Sequence, residues 1–434
     1  MSTVIRIVSS EAGGPIAERE RRWFGPGTTR ALDCLLLAVA AMAVFLVVGA
    51  FSGAITVNDG YGYDGFAYVG MVNEGMGGGN PSTRLRPVVV LLVTAADRLV
   101  FHDPLASFRA LNVVFTGVLA LALASLCRRY GASRAATTTL IVNLALAIST
   151  AKMFGFYPTL VDLGAYVFMT VGALAIVAGH RVPIVVACVL AVLSREFAGT
   201  LIVFGVIRDL RLRRSLLAVA ATYLPVAAAV VGVRWLALSY SVAGEELRPL
   251  TTMTLAASLL ANLTWWRDPR YVAFWLYFAV TLFGGVSMAI LASGRAWSSC
   301  LRREPEWLAI LLPIAAITTM GNADMWRYLA FVLPAVPVLW VWAVSRHPPA
   351  SARWLFAVVT LVTCLTQRPW QAMDVATYFR DWFPYFLIVE TPATADATLW
   401  PLWTYRLAAA MVALAVTAWL VRAPRRPAGR MEAA

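Results

Sequence analysis

The chain has 434 residues, of which 60% are hydrophobic, and its mean hydropathy is +0.73. This composition excludes a disordered chain and a large water-soluble domain, and it is typical of integral membrane proteins. The formal charge of +13 would suit a nucleic-acid partner only if the arginines formed one patch. They are instead divided among short turns between apolar runs, so we expect no nucleic-acid partner.

Apolar runs long enough to cross roughly 30 Å of hydrocarbon recur along the chain. Among them are 31–52, 110–127, 215–236, 271–293 and 401–421. Arginines cluster between such runs, at 19–30, 128–134, 208–214, 295–303 and 422–430. The positive-inside rule assigns these clusters to the cytoplasm, so we predict an all-α, multi-pass integral membrane protein with about twelve transmembrane helices and both termini cytoplasmic. Its predicted parts are a tail at 1–30, a polytopic membrane domain at 31–421 and a tail at 422–434.

The first outer loop is predicted to run from about 53 to 107, and it carries two carboxylates, Asp59 and Asp64. The glycines around them allow the backbone to turn tightly and bring a carboxylate to the mouth of a cavity. Later in the loop, the apolar run 87–101 is short for a crossing, and a crossing there would reverse the side of every later arginine cluster. We therefore predict a juxtamembrane helix at 87–101.

Two later apolar runs are interrupted by charged residues. The run 182–207 contains Arg195 and Glu196, and since each arm is too short to cross comfortably, we predict a hairpin whose turn lies below the outer surface. A second short arm leads in the same way to Asp324 and Arg327. Short apolar segments that meet at charged turns are typical of a binding cavity in a membrane protein.

The remaining outer segments are predicted at 153–161, 237–270 and 367–400. The last two are rich in Trp, Tyr, Arg and Asp, which suits helices at the membrane interface. Asp162 follows the first of these segments, near the outer end of the next predicted span. There it can serve either a substrate or the dipole of its own helix.

Each charged candidate also has a structural interpretation. Exposed acidic residues such as Asp59 and Asp64 are commonly only solvated. Arg195 beside Glu196, and Arg327 close to Asp324, can be paired charges that cap buried helix ends. The two arginines before Pro87, Arg84 and Arg86, can meet lipid headgroups.

Metal and disulfide chemistry find little support in the sequence. His102, His180 and His347 are scattered, no zinc-binding spacing is present, and the five cysteines form no pair in an outer loop. A divalent cation as cofactor is therefore unsupported by ligand spacing, and we expect no metal ligands. The glycine-rich run at 75–79 lacks the lysine of a phosphate-binding loop.

The first outer loop resembles that of bacterial GT-C type glycosyltransferases. The stretch Tyr63-Asp64-Gly65-Phe66-Ala67-Tyr68 directly follows the first span, and Arg84 and Arg86 precede an apolar helix. Many members carry Tyr-Asp-Gly-Gln-Phe-Tyr at this place, followed by an arginine-rich segment. Phe66 and Ala67 depart from that pattern, and Asp59 can share or replace the role of Asp64.

The resemblance implies a GT-C-like fold in a bacterial plasma (inner) membrane, and an inverting transfer of a sugar from a polyprenyl-phosphate donor to an unknown acceptor at the outer face. Asp64 would be the base, assisted or replaced by Asp59. The substrate-binding candidates are Arg84, Arg86, Asp162, Arg195, Glu196, Asp324 and Arg327. The arginines suit a leaving phosphate, because a guanidinium stays protonated and binds phosphate oxygens bidentately.

Two other classes of protein fit the same pattern. A transporter or flippase of a lipid-linked glycan would also place arginines in a cavity among about twelve spans. An O-antigen ligase or polymerase would use the same class of donor. Either alternative shares the membrane-lipid environment and the anionic lipid partner.

Overall fold

The computed structural model describes residues 31–239, 265–321, 325–345, 349–381 and 392–422. Every regular element within those ranges is helical. A helix satisfies its own backbone polar groups, which is what hydrocarbon demands of a segment that is apolar on all faces. The predicted all-α class is thus confirmed for the described part of the chain.

The helices of the first half, in chain order, are α1 Ala31–Phe51, α2 Gly65–Glu74, α3 Pro81–Arg84, α4 Pro87–Ala96, α5 Pro104–Arg129, α6 Arg134–Leu146, α7 Met153–Phe156, α8 Asp162–Ala178, α9 Arg181–Ser194, α10 Thr200–Arg211 and α11 Leu216–Ser239. Those of the second half are α12 Pro269–Thr281, α13 Gly285–Ala292, α14 Gly294–Arg303, α15 Leu308–Gly321, α16 Met325–Leu329, α17 Val336–Val344, α18 Pro349–Gln367, α19 Val375–Asp381 and α20 Pro392–Arg422.

Five helices among the described residues are long and apolar enough to cross a membrane, and up to seven if each bent pair of helices counts as one span. Several shorter apolar helices lie beside them, including α8 and α9. The chain therefore has the helices of a multi-pass membrane protein. In one row α5 packs between α1 and α8, and α9 packs between α8 and α11; in the second half α20 packs against α12 and α13.

Two predicted spans are bent rather than straight. α6 bends by 43° into the segment 148–156, and α12 meets α13 at 88°. The sequence run 271–293 indicated one continuous helix, and this was wrong because Gly284 adopts a φ of 58°, a left-handed conformation that interrupts a helix.

Side chains of α18 satisfy the backbone at both bends. Gln367 Oε1 accepts a hydrogen bond from the Ile148 amide at 2.9 Å, and its Nε2 donates to the Thr281 carbonyl at 2.7 Å. Thr363 Oγ1 accepts from the Gly285 amide at 2.9 Å. α18 thus supplies hydrogen bonds that the two interrupted helices cannot make for themselves.

The arginine-rich turns gather at one end of the helices. Tyr130 donates to Glu304 at 2.6 Å and Arg208 to Glu306 at 2.7 Å, which joins the turns after α5, α10 and α14. α10 returns to the end at which α9 begins. Gly179 precedes α9 and Arg214 follows α10, and a Cβ on Gly179 would lie 2.9 Å from Arg214 Nη2. α9 and α10 therefore form the predicted hairpin, with Arg195 and Glu196 at its far turn.

The first loop is itself largely helical and contains α2, α3 and α4. The predicted juxtamembrane helix corresponds to α4 and the π-helix Asp97–Phe101. One face of this helix is buried, including Val89 and Val93, whereas Leu91 and Leu99 are exposed, which suits a helix lying against lipid.

The predicted outer segment 153–161 is almost entirely buried between helices. Two predicted boundaries differ from the structure. α5 begins at Pro104, before the predicted loop end at 107, because Asp103 caps it by accepting from the Leu105 amide. α20 begins at Pro392, inside the predicted outer segment 367–400.

Candidate functional site

A tight turn after α1 positions the acidic loop. Asn58 and Asp59 have φ values of 50° and 54°, in the left-handed region that Asn and Asp tolerate better than most residues. Asn58 closes the turn by donating from Nδ2 to the Gly62 carbonyl at 2.9 Å. Thr159 ties the turn to the helices by donating to the Tyr61 carbonyl at 2.7 Å.

Tyr157 then fixes the backbone of the predicted base. Its hydroxyl accepts from the amides of Asp64 at 2.6 Å and Gly65 at 3.2 Å. Burial, and then the charge of Asp64, raise the pKa of Tyr157, so the phenol stays protonated. Gly65 is required here because a Cβ at this position would overlap Thr159 Oγ1.

The centre of the site is a buried carboxylate between two arginines. Asp162 Oδ1 accepts from Arg195 Nε at 2.7 Å, and Oδ2 accepts from Arg327 Nη2 at 2.6 Å. All three side chains are at least 95% buried. Tyr166 donates to the Arg327 carbonyl at 2.9 Å, and the Arg195 guanidinium lies 5.7 Å from the ring centroid of Tyr328.

Asp64 is joined to this centre at its exposed edge. Its Oδ2 lies 3.9 Å from Arg327 Nη2, and its side chain is 53% exposed. The carboxylate therefore faces a buried cation while remaining open to a second molecule. Such a group can take a proton from a bound hydroxyl if that hydroxyl approaches within hydrogen-bonding distance.

A second ion pair flanks the centre. Arg86 Nε contacts Glu196 Oε1 at 3.1 Å, and its Nη1 donates to the Tyr68 hydroxyl at 3.1 Å. Burial lowers the pKa of Arg86, but Tyr68 and Glu196 outweigh it and hold that pKa above its ordinary value. Burial raises the pKa of Glu196, but Arg86 and then Arg195 outweigh it, so the carboxyl stays ionised.

These contacts bring six of the predicted site residues into one network: Asp64, Arg86, Asp162, Arg195, Glu196 and Arg327. The alternative interpretation of paired charges at buried helix ends therefore describes Arg195 and Arg327 correctly, although Asp162 is their partner. Among the described residues, the network has three cations and three carboxylates. Asp64 is its most exposed carboxylate.

Two of the other predicted residues, Arg84 and Asp59, lie elsewhere in the first loop. Arg84 is buried inside the loop, where it donates to the Met76 and Gly77 carbonyls and holds the 3-10 helix Gly75–Gly78; its role in substrate binding stays a prediction. Asp59 lies on the exposed side of the turn. Asp324 lies outside the described residues.

Sequence reasoning missed the tyrosines that support these charges. Three tyrosines are buried and form these hydrogen bonds through their hydroxyls. Tyr157 accepts from amides of the acidic loop, Tyr68 accepts from Arg86, and Tyr166 donates to the Arg327 carbonyl. Tyr157 stands directly before Pro158 in a predicted outer segment, but its hydrogen bonds depend on a contact with a loop 92 residues away. Nothing in the local pattern indicates such a partner.

Two further observations bear on ligands. Among the described residues, no group of three His, Cys, Asp or Glu side chains is placed to hold a metal ion, so the network is not a metal centre of that kind. A cavity of about 450 Å³ lies at the arginine-rich end, lined by residues such as Arg128, Arg129 and His180. It contains none of the predicted site residues.

Comparison of the chain with protein-family models, with curated proteins and with solved structures finds no match in any of the three. The function is therefore inferred from the site itself.

Proposed function

We propose that the protein is an inverting glycosyltransferase of a bacterial inner membrane, which moves a sugar from a polyprenyl-phosphate donor to an acceptor at the outer face. The observation that carries the proposal is the half-exposed Asp64 carboxylate, 3.9 Å from the buried Arg327 guanidinium. Within this proposal the chain has a GT-C-like fold of about twelve spans, with both termini in the cytoplasm.

The proposed reaction is a single displacement. The acceptor oxygen attacks the anomeric carbon and its proton passes to Asp64, while the bond from that carbon to the donor oxygen breaks and its electron pair leaves with the phosphate. Asp64 has the exposure that a base needs, and the Tyr157 hydroxyl fixes its backbone from behind. Arg327 supplies positive charge beside the reacting groups.

The relative placement of charges also supports the proposal. α8 has 17 residues and so extends about 25 Å. Asp162 is its first residue, and Gly179, directly after its last residue, lies close to Arg214. The acidic site and the arginine-rich turns thus lie at opposite ends of the same helices. If the turns are cytoplasmic, Asp64 faces the outer leaflet, where a lipid-linked donor would present its sugar.

A transporter of a lipid-linked glycan is the second candidate. The observation that favours it is the pair of bent spans, because interrupted helices at membrane depth commonly surround a transported substrate. Both candidates accept an anionic lipid, but only the enzyme needs a base.

The test is transfer in detergent, where no membrane separates donor from product. Purified protein is supplied with labelled polyprenyl-phosphate sugars and a panel of acceptors. Wild-type protein should transfer the label, and Asp64→Asn should reduce the rate about a hundredfold or more while donor binding persists. Asp103→Asn is a matched control at the same end, since asparagine also caps a helix.

Two results would reject the proposal. Full transfer by both Asp64→Asn and Asp59→Asn would leave the proposed reaction without its base. Absence of transfer by the wild type, together with movement of the lipid-linked sugar across vesicles containing the protein, would establish the transporter instead.

A further inference from the structure

The cavity of about 450 Å³ at the arginine-rich end has an apolar wall. Helix α8 contributes Val171, Leu174, Ala175 and Ala178 to its lining. These residues are spaced three and four positions apart, so they share one face of the helix. At about 1.5 Å per residue, this wall extends roughly 10 Å from the end of α8 toward its middle.

The polar part of the lining comes from the end of α5 and the start of α9. Ser125, Arg128 and Arg129 lie on one face of the last two turns of α5, and His180 and Pro183 lie at the start of α9. The two arginines and the histidine are exposed. Because α5 and α8 both end at the arginine-rich end, these side chains lie beside the end of the apolar wall.

The cavity therefore changes from apolar to cationic along its length. A phospholipid has the same two parts, since its acyl chains continue from an anionic headgroup. A soluble anion would meet the arginines but would leave the apolar wall facing water, which is unfavourable. Arginine forks bind phosphate oxygens through charge-assisted hydrogen bonds, and basic pockets between transmembrane helices are typical sites for anionic headgroups.

The charges near the cavity also favour an anionic lipid. Arg134, at the start of the next helix, pairs with Asp33 of α1 at 2.6 Å, whereas within the described ranges no carboxylate forms an ion pair with Arg128 or Arg129. The tail 1–30 leads into α1 at this end and contains five arginines against three glutamates, so its composition adds more positive than negative charge. Anionic headgroups of the bilayer are an abundant source of the opposite charge here.

We propose that this cavity binds an anionic phospholipid. Arg128 and Arg129 hold its phosphate, and the part of one acyl chain nearest the headgroup lies against the apolar face of α8. The hydroxyl of Ser125 and the imidazole of His180 can donate hydrogen bonds to the headgroup. The Asp162 site lies at the other end of α8, about 25 Å away, so the lipid site stands whether or not the chain transfers a sugar.

The test follows thermal unfolding of the full-length protein in micelles of an uncharged detergent. Dioleoyl phosphatidylglycerol is titrated as a rising mole fraction of the micelle. Dioleoyl phosphatidylcholine, whose headgroup has no net charge, and soluble glycerol 3-phosphate are titrated in parallel at constant ionic strength. Phosphatidylglycerol should raise the unfolding temperature in a saturable manner, and at a lower mole fraction than phosphatidylcholine.

Three variants locate the effect. Arg128→Gln/Arg129→Gln should raise the apparent Kd for phosphatidylglycerol about tenfold or more, since each arginine near an anionic lipid typically contributes about fivefold. Ala178→Phe keeps the charges but fills the cavity, so it should also weaken binding. Arg295→Gln/Arg302→Gln is the matched control, because it removes two exposed arginines of α14 that do not line the cavity, and it should leave the Kd within about twofold.

A weaker response in either cavity variant, with the control unchanged, supports the proposal. Equal stabilisation by phosphatidylcholine overturns it, because the headgroup charge is then not recognised. An equal response to glycerol 3-phosphate also overturns it and assigns the cavity to a soluble anion. The proposal fails as well if the control loses as much as Arg128→Gln/Arg129→Gln, if both cavity variants respond undiminished, or if phosphatidylglycerol does not stabilise the wild type. None of these outcomes depends on transfer by Asp64, so the two proposals fail independently.

Discussion

Replacing Asp162 by asparagine tests whether this one carboxylate holds the buried arginines together. Each of its oxygens accepts from a different cation, Oδ1 from Arg195 at 2.7 Å and Oδ2 from Arg327 at 2.6 Å. Asparagine has nearly the same shape but offers one acceptor oxygen and one NH₂ group. Whichever way the amide is turned, one arginine meets a donor, and both lose their shared counter-charge.

The expected loss follows from burial. Asp162 is 0% exposed and the arginines 2% and 5%, so solvent cannot replace the missing charge. Removing one partner of a buried ion pair typically costs about 3–5 kcal/mol, and we expect Asp162→Asn to lower the free energy of unfolding by that amount. Asp64→Asn should cost less than about 1 kcal/mol, because its 3.9 Å contact is half exposed.

The assay is unfolding in mixed micelles of a mild detergent and dodecyl sulfate, followed by circular dichroism. A double-mutant cycle adds Arg195→Gln, which should cost less in the Asp162→Asn background than in the wild type, because the arginine has already lost its partner. If Asp162→Asn unfolds within about 1 kcal/mol of the wild type, the carboxylate does not hold the arginines and the reasoning fails.

The other predictions concern the loop and its flanking pair. Gly65→Ala should destabilise the protein by about 1–3 kcal/mol, and Thr159→Ala should recover part of that loss, since the new Cβ would strike Thr159; thermal unfolding of the single and double variants checks this. Arg84→Met should make the glycine-rich 3-10 helix more sensitive to protease, because two carbonyls lose their donor. The lowered pKa of Glu196 contributes stability that is present above its unfolded value, about 4.3, and is lost as the pH falls through the lower folded value. Melting curves between pH 7 and pH 3 should therefore lose less stability in Glu196→Gln than in the wild type.

Many of the helices could be predicted from the sequence, because a long apolar segment in hydrocarbon has to be helical to satisfy its backbone. The charged residues that interrupt such segments say more about the site. Arg195, Glu196 and Arg327 interrupt apolar segments, and such groups must find partners, so a meeting of these charges could be predicted from the sequence. The pairing itself could not, since Asp324 stands nearer to Arg327 in the sequence than Asp162 does.

The features that sequence reasoning missed depend on contacts between distant segments. The break between α12 and α13 is marked only by glycines in an apolar run, and glycine is common in transmembrane helices. Lys152 is the only lysine in the chain, and its place at the end of an apolar run was a usable signal. Its hydrogen-bond acceptor, the Arg368 carbonyl, lies 216 residues away in the sequence, beyond the reach of any local pattern.

The hydrogen bonds of Gln367 constrain how the chain enters the bilayer during synthesis. Its acceptor Thr281 emerges from the ribosome 86 residues earlier, and Ile148 emerges 219 residues earlier. Until α18 arrives, both interrupted helices would have unpaired peptide groups in lipid, each at a cost of several kcal/mol. We therefore expect that truncation before residue 363 leaves the bent spans poorly inserted.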